Sequence, residues 1–253
     1  MATVRFFDSL PSTNQYCELL DLSQVEEFAV YCARTQTSGI GQRGNRWESE
    51  PGKNLTFSIV LHPTFLNVAD QYMLTEALAL AVSDWVAGQL SRLPSPPNTF
   101  VKWPNDIYVG DSKIGGILTS IRVQGGKIVH AVCGIGLNLN QTSFSDDIPN
   151  PVSLKQLTGE YHSIEQCLDQ LVKAIRLRYR QLDSPICLEQ DYLNRLYRRN
   201  IPSQFVYRQQ EITATIDGVN RFGHLQLTTA EGERLSCELK EIQFVIERAE
   251  GDL

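Results

Sequence analysis

The sequence predicts an α+β fold: a mixed, mainly antiparallel sheet with helices, and a small β-barrel at the C-terminal end. Three features support this. Apolar residues alternate with period two in short runs, most clearly at Leu55, Phe57, Ile59 and Leu61. Between Phe100 and Asn140 such runs follow one another through tight turns, which makes hairpins rather than βαβ crossovers. Beyond Asn200-Ile201-Pro202 helical spacing disappears and short alternating strands take over.

In chain order, "VRFFDSL" reads as the first strand, and "PSTNQYCELL" as a turn entering a helix with Ser12 or Thr13 at its N-cap. "EFAVYCARTQ" is a second strand running into a glycine-rich stretch, and "NLTFSIVLH" is the third. An amphipathic helix follows, with Leu74, Leu78, Ala81, Val82 and Trp85 at helical spacing, until the breaker run "PSPPN". "FVKWPNDIYVGDSKIGGILTSIRVQGGKIVHAVCGIGLNLN" supplies three or four strands with turns at Asn105-Asp106, Gly110-Asp111 and Gly125-Gly126. After a loop through "SFSDDIPNPVS", Ile164, Cys167, Leu168, Leu171, Val172 and Ile175 form one helical stripe, and "LEQDYLNRLYRR" is a further short helix. The pattern then changes. Residues 1–199 are expected as the larger domain, and residues 200–253 as a β domain in which Ile212, Ala214, Ile216, Leu225, Leu227, Leu235, Cys237 and Leu239 alternate.

With 42% hydrophobic and 21% charged residues, the 253-residue chain is ordinarily globular. A net charge of -6 gives no electrostatic case for duplex DNA. No run approaches the roughly 20 apolar residues of a membrane span, and "MATVRFFDSL" lacks the apolar core of a signal peptide. The six cysteines show no C-x-x-C spacing, which points to reduced thiols and a cytoplasmic location.

Gly39-Ile40-Gly41-Gln42-Arg43-Gly44 fits G-x-G-x-x-G, the dinucleotide fingerprint. That fingerprint needs a helix opening at its third glycine, because the free N–H groups and positive dipole end of the helix hold the pyrophosphate. Here "NRWESEPGKN" follows, with Pro51 and Gly52 and no apolar stripe, so the helix is missing. The P-loop pattern fails too, since Gly44 precedes Asn45-Arg46 and not Lys-Ser/Thr. What remains is a loop between two strands with backbone donors at three glycines, the guanidiniums of Arg43 and Arg46, and the flat indole of Trp47. It suits an anionic ligand carrying a base. A second cluster, "VKWPNDIYVGDSKIGGIL", offers Asn105 and Asp106 at a sheet-edge turn and Lys113 beside the Gly115-Gly116 pair, a setting for a triphosphate or a magnesium ion.

Taken in order, "STN", "GIGQRGNRW", "KWPND", "DSKIGGIL" and "GIGLNLN" closely resemble the motifs of the biotin protein ligases, the biotin–[acetyl-CoA-carboxylase] ligases. The match covers most of the larger domain. The resemblance implies a class II synthetase-like catalytic domain and an SH3-like C-terminal barrel, in a monofunctional type whose catalytic motif starts at Ser12 with no DNA-binding domain before it. It implies that biotin and Mg-ATP form biotinyl-5′-AMP and pyrophosphate, and that the biotinyl group then passes to a lysine of a carboxylase's biotin carboxyl carrier domain. By the same resemblance, Ser12, Thr13, Asn14, Gln36, Gly39, Ile40, Gly41, Gln42, Lys113 and Gly116 bind biotin. Arg43, Arg46, Trp47, Asn105, Asp106 and Asn138 serve ATP, Asp106 also the metal, and Lys113 and Arg43 are catalytic. One departure stands out: Ile40, Gln42 and Asn45 sit where many family members carry arginine, so Lys113 and backbone N–H groups carry more of the charge stabilisation. Lipoate or octanoate ligases of the same fold, and a non-catalytic biotin-binding module, are the competing readings. A sheet edge beside "GGKIVHAVCGIGL" allows a homodimer or carrier docking.

Overall fold

The N-terminal strand β1 (Val4–Leu10) passes through Pro11 into a short helix, α1 (Thr13–Glu18), and returns as β2 (Val30–Gln36), which pairs parallel with β1. Residues 3–146, 148–183 and 185–246 are described by the computed structural model, and the side chains of Arg43 and Pro185 fall outside the described set. All other strand pairs of this sheet are antiparallel: β3 (Leu55–Leu61), then, after the helix α2 (Gln71–Leu90), β4 (Thr99–Lys102), β5 (Asp106–Val109), β6 (Ser112–Gln124) and β7 (Lys127–Leu137). Their order is β1-β2-β3-β7-β6-β5-β4, so β7 folds back between β3 and its own hairpin partner β6. The sheet edge expected beside "GGKIVHAVCGIGL" is not found: that strand is paired on both sides, and the edges are β1 and β4. The "FVKWPND…" stretch therefore makes four strands. Asp106 already belongs to β5, which moves the turn to Trp103, Pro104 and Asn105.

Helix α2 departs from its expected amphipathic form. Leu74, Ala77, Leu78, Ala79, Leu80, Ala81, Val82 and Val86 are all buried, so apolar residues surround the helix. The reason is position: α2 lies between the sheet and the helices α4 (Ile164–Arg180) and α5 (Pro185–Arg195), and has no broad solvent face. Helix α4 does show the expected stripe, with Ile164, Cys167, Leu168, Leu171, Val172 and Ile175 all buried. A short helix, α3 (Leu154–Thr158), interrupts the segment before it; Ser153 and Gln156 form a capping box at its start, and Gly159 ends it with φ of 75°.

The second sheet contains β8 (Ser203–Tyr207), β9 (Gln210–Val219), β10 (Leu225–Thr229), β11 (Arg234–Cys237) and β12 (Ile242–Phe244), in the order β11-β10-β9-β8-β12. Strands β11 and β12 are its two ends. They do not pair with each other among the described residues, so the expected barrel is seen as an open ladder.

Alternation on the large sheet sends Val30, Cys32, Phe57, Ile59 and Cys133 into the main core under α2 and α4. The opposite face carries α1 over a smaller cluster of Cys17, Tyr31, Val60 and Val132. The same alternation turns Ser58, Gly134 and Gly136 onto this second face. There the packing stops short and leaves a cavity.

Candidate active site

The cavity has a volume of about 480 Å³, and the chain's most separated segments meet in it. At one end is the start of α1. Ser12 occupies the N-cap position but makes no capping bond; instead Gln36, at the end of β2, accepts from the Thr13 backbone N–H at 2.7 Å and from the Thr13 hydroxyl at 3.1 Å. Ser12 is thus the N-cap residue, as expected, but the side-chain acceptor comes from Gln36. Ser12 itself lines the cavity. Asn14 is oriented from both sides: its amide nitrogen donates to the Leu118 carbonyl at 3.2 Å, and its oxygen lies 2.6 Å from the Ser58 hydroxyl. Ser58, fully buried on β3, is also 2.8 Å from the Thr13 hydroxyl.

The glycine-rich segment contains no α-helix. It closes on itself: Trp47 N–H donates to Gly39 O at 2.9 Å, Gly41 N–H to Asn45 O at 2.6 Å, and a single helical turn spans Gln42–Gly44. Gly39 lies under this loop and does not line the cavity; a Cβ there would stand 2.5 Å from the Trp47 carbonyl. Ile40, Gly41, Gln42, Asn45 and Arg46 do line it, and Arg46 has no ion-pair partner among the described residues. The side chain of Arg43 falls outside the described set, so its expected roles have no geometry here.

Trp47 swings its indole into the cavity and lays it on two glycines of the sheet. A Cβ on Gly136 would press into the ring, 2.6 Å from its Cζ2 and closer still to Cε2, and one on Gly116 would lie 3.6 Å from it. The indole N–H is buried without an acceptor among the described residues, so it is available to a ligand. The Lys113 ammonium stands 5.9 Å from the indole centroid and pairs with Asp106 at 2.7 Å.

The turn carrying Asn105 is held rigidly. The Asn105 amide donates to Ile117 O, the Ile117 N–H returns to Asn105 O at 3.0 Å, and the Tyr72 hydroxyl from α2 donates to Pro104 O at 3.2 Å. Trp103 donates its indole N–H to Gly223 O at 2.9 Å, which ties the turn to the second sheet. The second sheet closes the cavity with Phe244, Gln243 and Ile242, and Leu239 just before them joins in.

Like Gly39, Asn138 is a predicted residue that does not line the cavity. It is buried 14 residues before Val152, whose carbonyl takes its amide at 3.1 Å, while its own backbone carbonyl accepts from Leu154. Its side chain anchors the segment that enters α3. Among lining residues outside the predicted set are Phe57, Lys102, Gly134, Ile135, Gly136 and Phe244. Gly134 and Gly136 had a signal in "GIGLNLN", because glycines two apart on a strand leave one face bare.

Thiol chemistry has no place in this arrangement: burial pushes Cys17, Cys32 and Cys133 up to about 12, and all six cysteines are unpaired. Nor do three or more His, Cys, Asp or Glu side chains converge anywhere among the described residues. Among the described residues, Asp106 is the one carboxylate of the cavity lining. Magnesium is commonly held by one or two carboxylates plus substrate phosphates, so this donor set fits an ion that arrives with a nucleotide better than a resident metal.

Residues 6–138 match the family model for the biotin/lipoate A/B protein ligases. The chain belongs to that family. Its relatives include a biotin–[acetyl-CoA-carboxylase] ligase of Paracoccus denitrificans, 32% identical over 158 residues that make up 60% of this chain and 63% of the relative. Among solved structures, the biotin protein ligase of Aquifex aeolicus in complex with biotin and ATP has the same fold, at 22% identity and a TM-score of 0.77, covering 98% of this chain and 100% of that one. The biotin acetyl coenzyme A carboxylase synthetase of Helicobacter pylori with bound biotinylated ATP is 28% identical, with a TM-score of 0.56, covering 94% of this chain and 100% of that one. The chain spans about half the length of the first curated relatives it matches, the bifunctional ligase/repressors BirA of Bacillus spizizenii and Bacillus subtilis.

Proposed function

We propose that the chain is an ATP-dependent biotin ligase, which forms biotinyl-5′-AMP and pyrophosphate and then passes the biotinyl group to a lysine of a carrier domain. The observation that carries this reading is the meeting, in one cavity of about 480 Å³, of a polar cradle with a cation and a stacking surface. Ser12, Thr13, Asn14 and Gln36 form the cradle; Lys113 is the cation and Trp47 the surface. A bicyclic ureido group needs donors and an acceptor at fixed angles, and the Thr13, Asn14 and Gln36 side chains are already oriented by hydrogen bonds among themselves, to Ser58 and to the Leu118 carbonyl. A linear acyl chain has no use for that polarity. Family membership and the names of the relatives support the same activity.

In this reading the biotin carboxylate attacks the α-phosphorus of ATP, and the bond from that phosphorus to the diphosphate breaks. Two anions have to meet, and the Lys113 ammonium lowers that repulsion and the charge that builds on the phosphate. Asp106 holds Lys113 in place and is the carboxylate that would hold magnesium, which would supply charge neutralisation of the polyphosphate. In the second step the acceptor amine attacks the acyl carbon and AMP leaves; no covalent enzyme intermediate is required. Trp47 covers the base, and the loop from Gly39 to Trp47 keeps water from the mixed anhydride.

A carrier domain of a biotin-dependent carboxylase is the partner in this reading. A cytoplasmic location, a homodimer and the domain division at residue 199 belong to the same proposal; no helix among the described residues is long and apolar enough to cross a membrane. The test is pyrophosphate release by the purified chain with ATP and biotin, lipoate or octanoate, followed by transfer to a carrier domain. Biotin-driven release with transfer is expected; release driven only by lipoate or octanoate overturns the substrate, and none with any acid overturns the enzyme. Lys113→Ala is expected to lower adenylate synthesis about 10- to 100-fold and to shorten retention of the adenylate. Unchanged synthesis and retention would remove Lys113 from the chemistry.

A further inference from the structure

Lys113 is not the cavity's last lysine. Lys102 ends β4 directly opposite Asp106 in the β4–β5 ladder, and its side chain lines the same cavity. Its ammonium lies 4.7 Å from the Phe244 ring centroid and 5.4 Å from that of Tyr108, and no carboxylate stands within ion-pair distance among the described residues. Burial lowers its pKa, with Lys113 and Arg198 pushing the same way and Asp106 pushing against them. A half-buried cation held only by aromatic faces pays for desolvation without the return of an ion pair.

Strand order says where this cation stands. The polar cradle is built on α1, β2 and β3; Lys113 is on β6, and Lys102 is two strands further along the sheet on β4. Two strand spacings separate the backbones by about 10 Å, and the Lys113 ammonium reaches back to Asp106, the residue opposite Lys102, so the two ammoniums stand closer than that. A nucleotide whose α-phosphate reaches Lys113 and whose acyl partner lies in the cradle has its β- and γ-phosphates left to run towards β4.

We propose that Lys102, roofed by Phe244 of the second sheet, binds the diphosphate that leaves in the first half-reaction. This rests on the ligase reading above. As the carboxylate oxygen bonds to the α-phosphorus, the electron pair of the breaking P–O bond goes onto the diphosphate oxygen, and the Lys102 ammonium meets that charge. Phe244 comes from a strand more than 130 residues later in the chain, so the leaving-group site is complete only when β12 is seated.

The competing role for Lys102 is a purely structural staple between the sheets. The two are separated with inorganic pyrophosphate as probe, titrated calorimetrically into the wild type, Lys102→Met and Lys102→Arg. Methionine keeps the packing on Phe244 and removes the charge, while arginine restores both charge and aromatic contact. The expected result is a Kd for pyrophosphate at least tenfold weaker in Lys102→Met and largely recovered in Lys102→Arg, with the Tm of Lys102→Met within a few degrees of wild type. The Kd for biotin should not move. Equal pyrophosphate affinity in all three proteins, or a lowered Tm with unchanged affinity, would overturn the assignment. Because pyrophosphate binding needs no turnover, its failure is distinct from failure of the ligase reading, which is decided by biotin-dependent pyrophosphate release in the wild type.

Discussion

Two glycines on one strand should separate the two substrates. Gly134 and Gly136 face the same side of β7, two residues apart, and each is covered by a different side chain. A methyl group at Gly136 would stand 2.6 Å from Trp47 Cζ2 and 2.8 Å from Cδ2, whereas carbon atoms pack at about 3.5–4.0 Å. The indole has to withdraw by about 1 Å. It has little room to do so in place, because the Trp47 backbone is tied to Gly39 and its ring rests on Gly116 as well. Gly136→Ala is therefore expected to displace the ring from the cavity. Loss of one aromatic stacking face costs about 1–3 kcal/mol, or roughly 5- to 150-fold in nucleotide affinity. At Gly134 the added methyl would instead lie 2.9 Å from Asn14 Cγ, and Asn14 is pinned by Leu118 and Ser58. Gly134→Ala should raise KM for biotin and leave KM for ATP nearly unchanged; Gly136→Ala should do the reverse. Neither glycine has a positive φ, so alanine is compatible with the backbone at both. Initial rates of pyrophosphate release against each substrate, with tryptophan fluorescence to follow the indole, measure both effects. Equal losses for both substrates in both variants, or a Gly136→Ala protein with unchanged fluorescence and ATP dependence, would refute the division of the cavity.

Ser58→Ala removes the hydroxyl that sits between Thr13 and Asn14 and leaves their oxygens short of a partner in a buried place, at a cost of about 1–3 kcal/mol. Biotin affinity measured by calorimetry should fall while ATP affinity holds; equal affinities would make Ser58 mere packing. Glu76 on α2 offers a pH test of stability: burial, reinforced by the Glu189 carboxylate, raises its pKa to about 8. A carboxyl group raised in this way contributes stability that is fully present below its unfolded value of 4.5 and is lost as pH rises through about 8. Glu76→Gln, which cannot ionise, should thus have the higher Tm at pH 9, with the gap closing towards pH 4. A difference that does not change with pH would show that Glu76 is not protonated in the folded chain.

Much of the fold was legible because periodicity reports which face of an element is covered. The alternation in Leu55–Leu61, the stripe of α4 and the hairpins through Gly110 and Gly125 all follow from local spacing. Helix α2 misled for the same reason: its spacing also fits a helix covered on every side, and nothing local says that α4 and α5 will cover it. The site shows the same division. Ser12 to Asn14, Trp47, Asp106 and Lys113 were recognisable from motifs, yet the motifs do not say that Gln36 supplies the cap of α1 or that Asn138 turns away to anchor α3.

Residue types and their local order were enough to mark the groups of the candidate site: polar residues at the start of a helix, a glycine-rich loop with an indole, a carboxylate and a lysine at a turn. Distances were a different matter. They come from the insertion of β7 between β3 and β6, which lays Gly134 under Asn14 and Gly136 under Trp47, and from the seating of β12 against β4, which brings Phe244 to Lys102. Those contacts join residues that are far apart in the chain, and their positions are set by the packing of whole sheets and helices, a sum over many side chains that no short stretch of sequence contains.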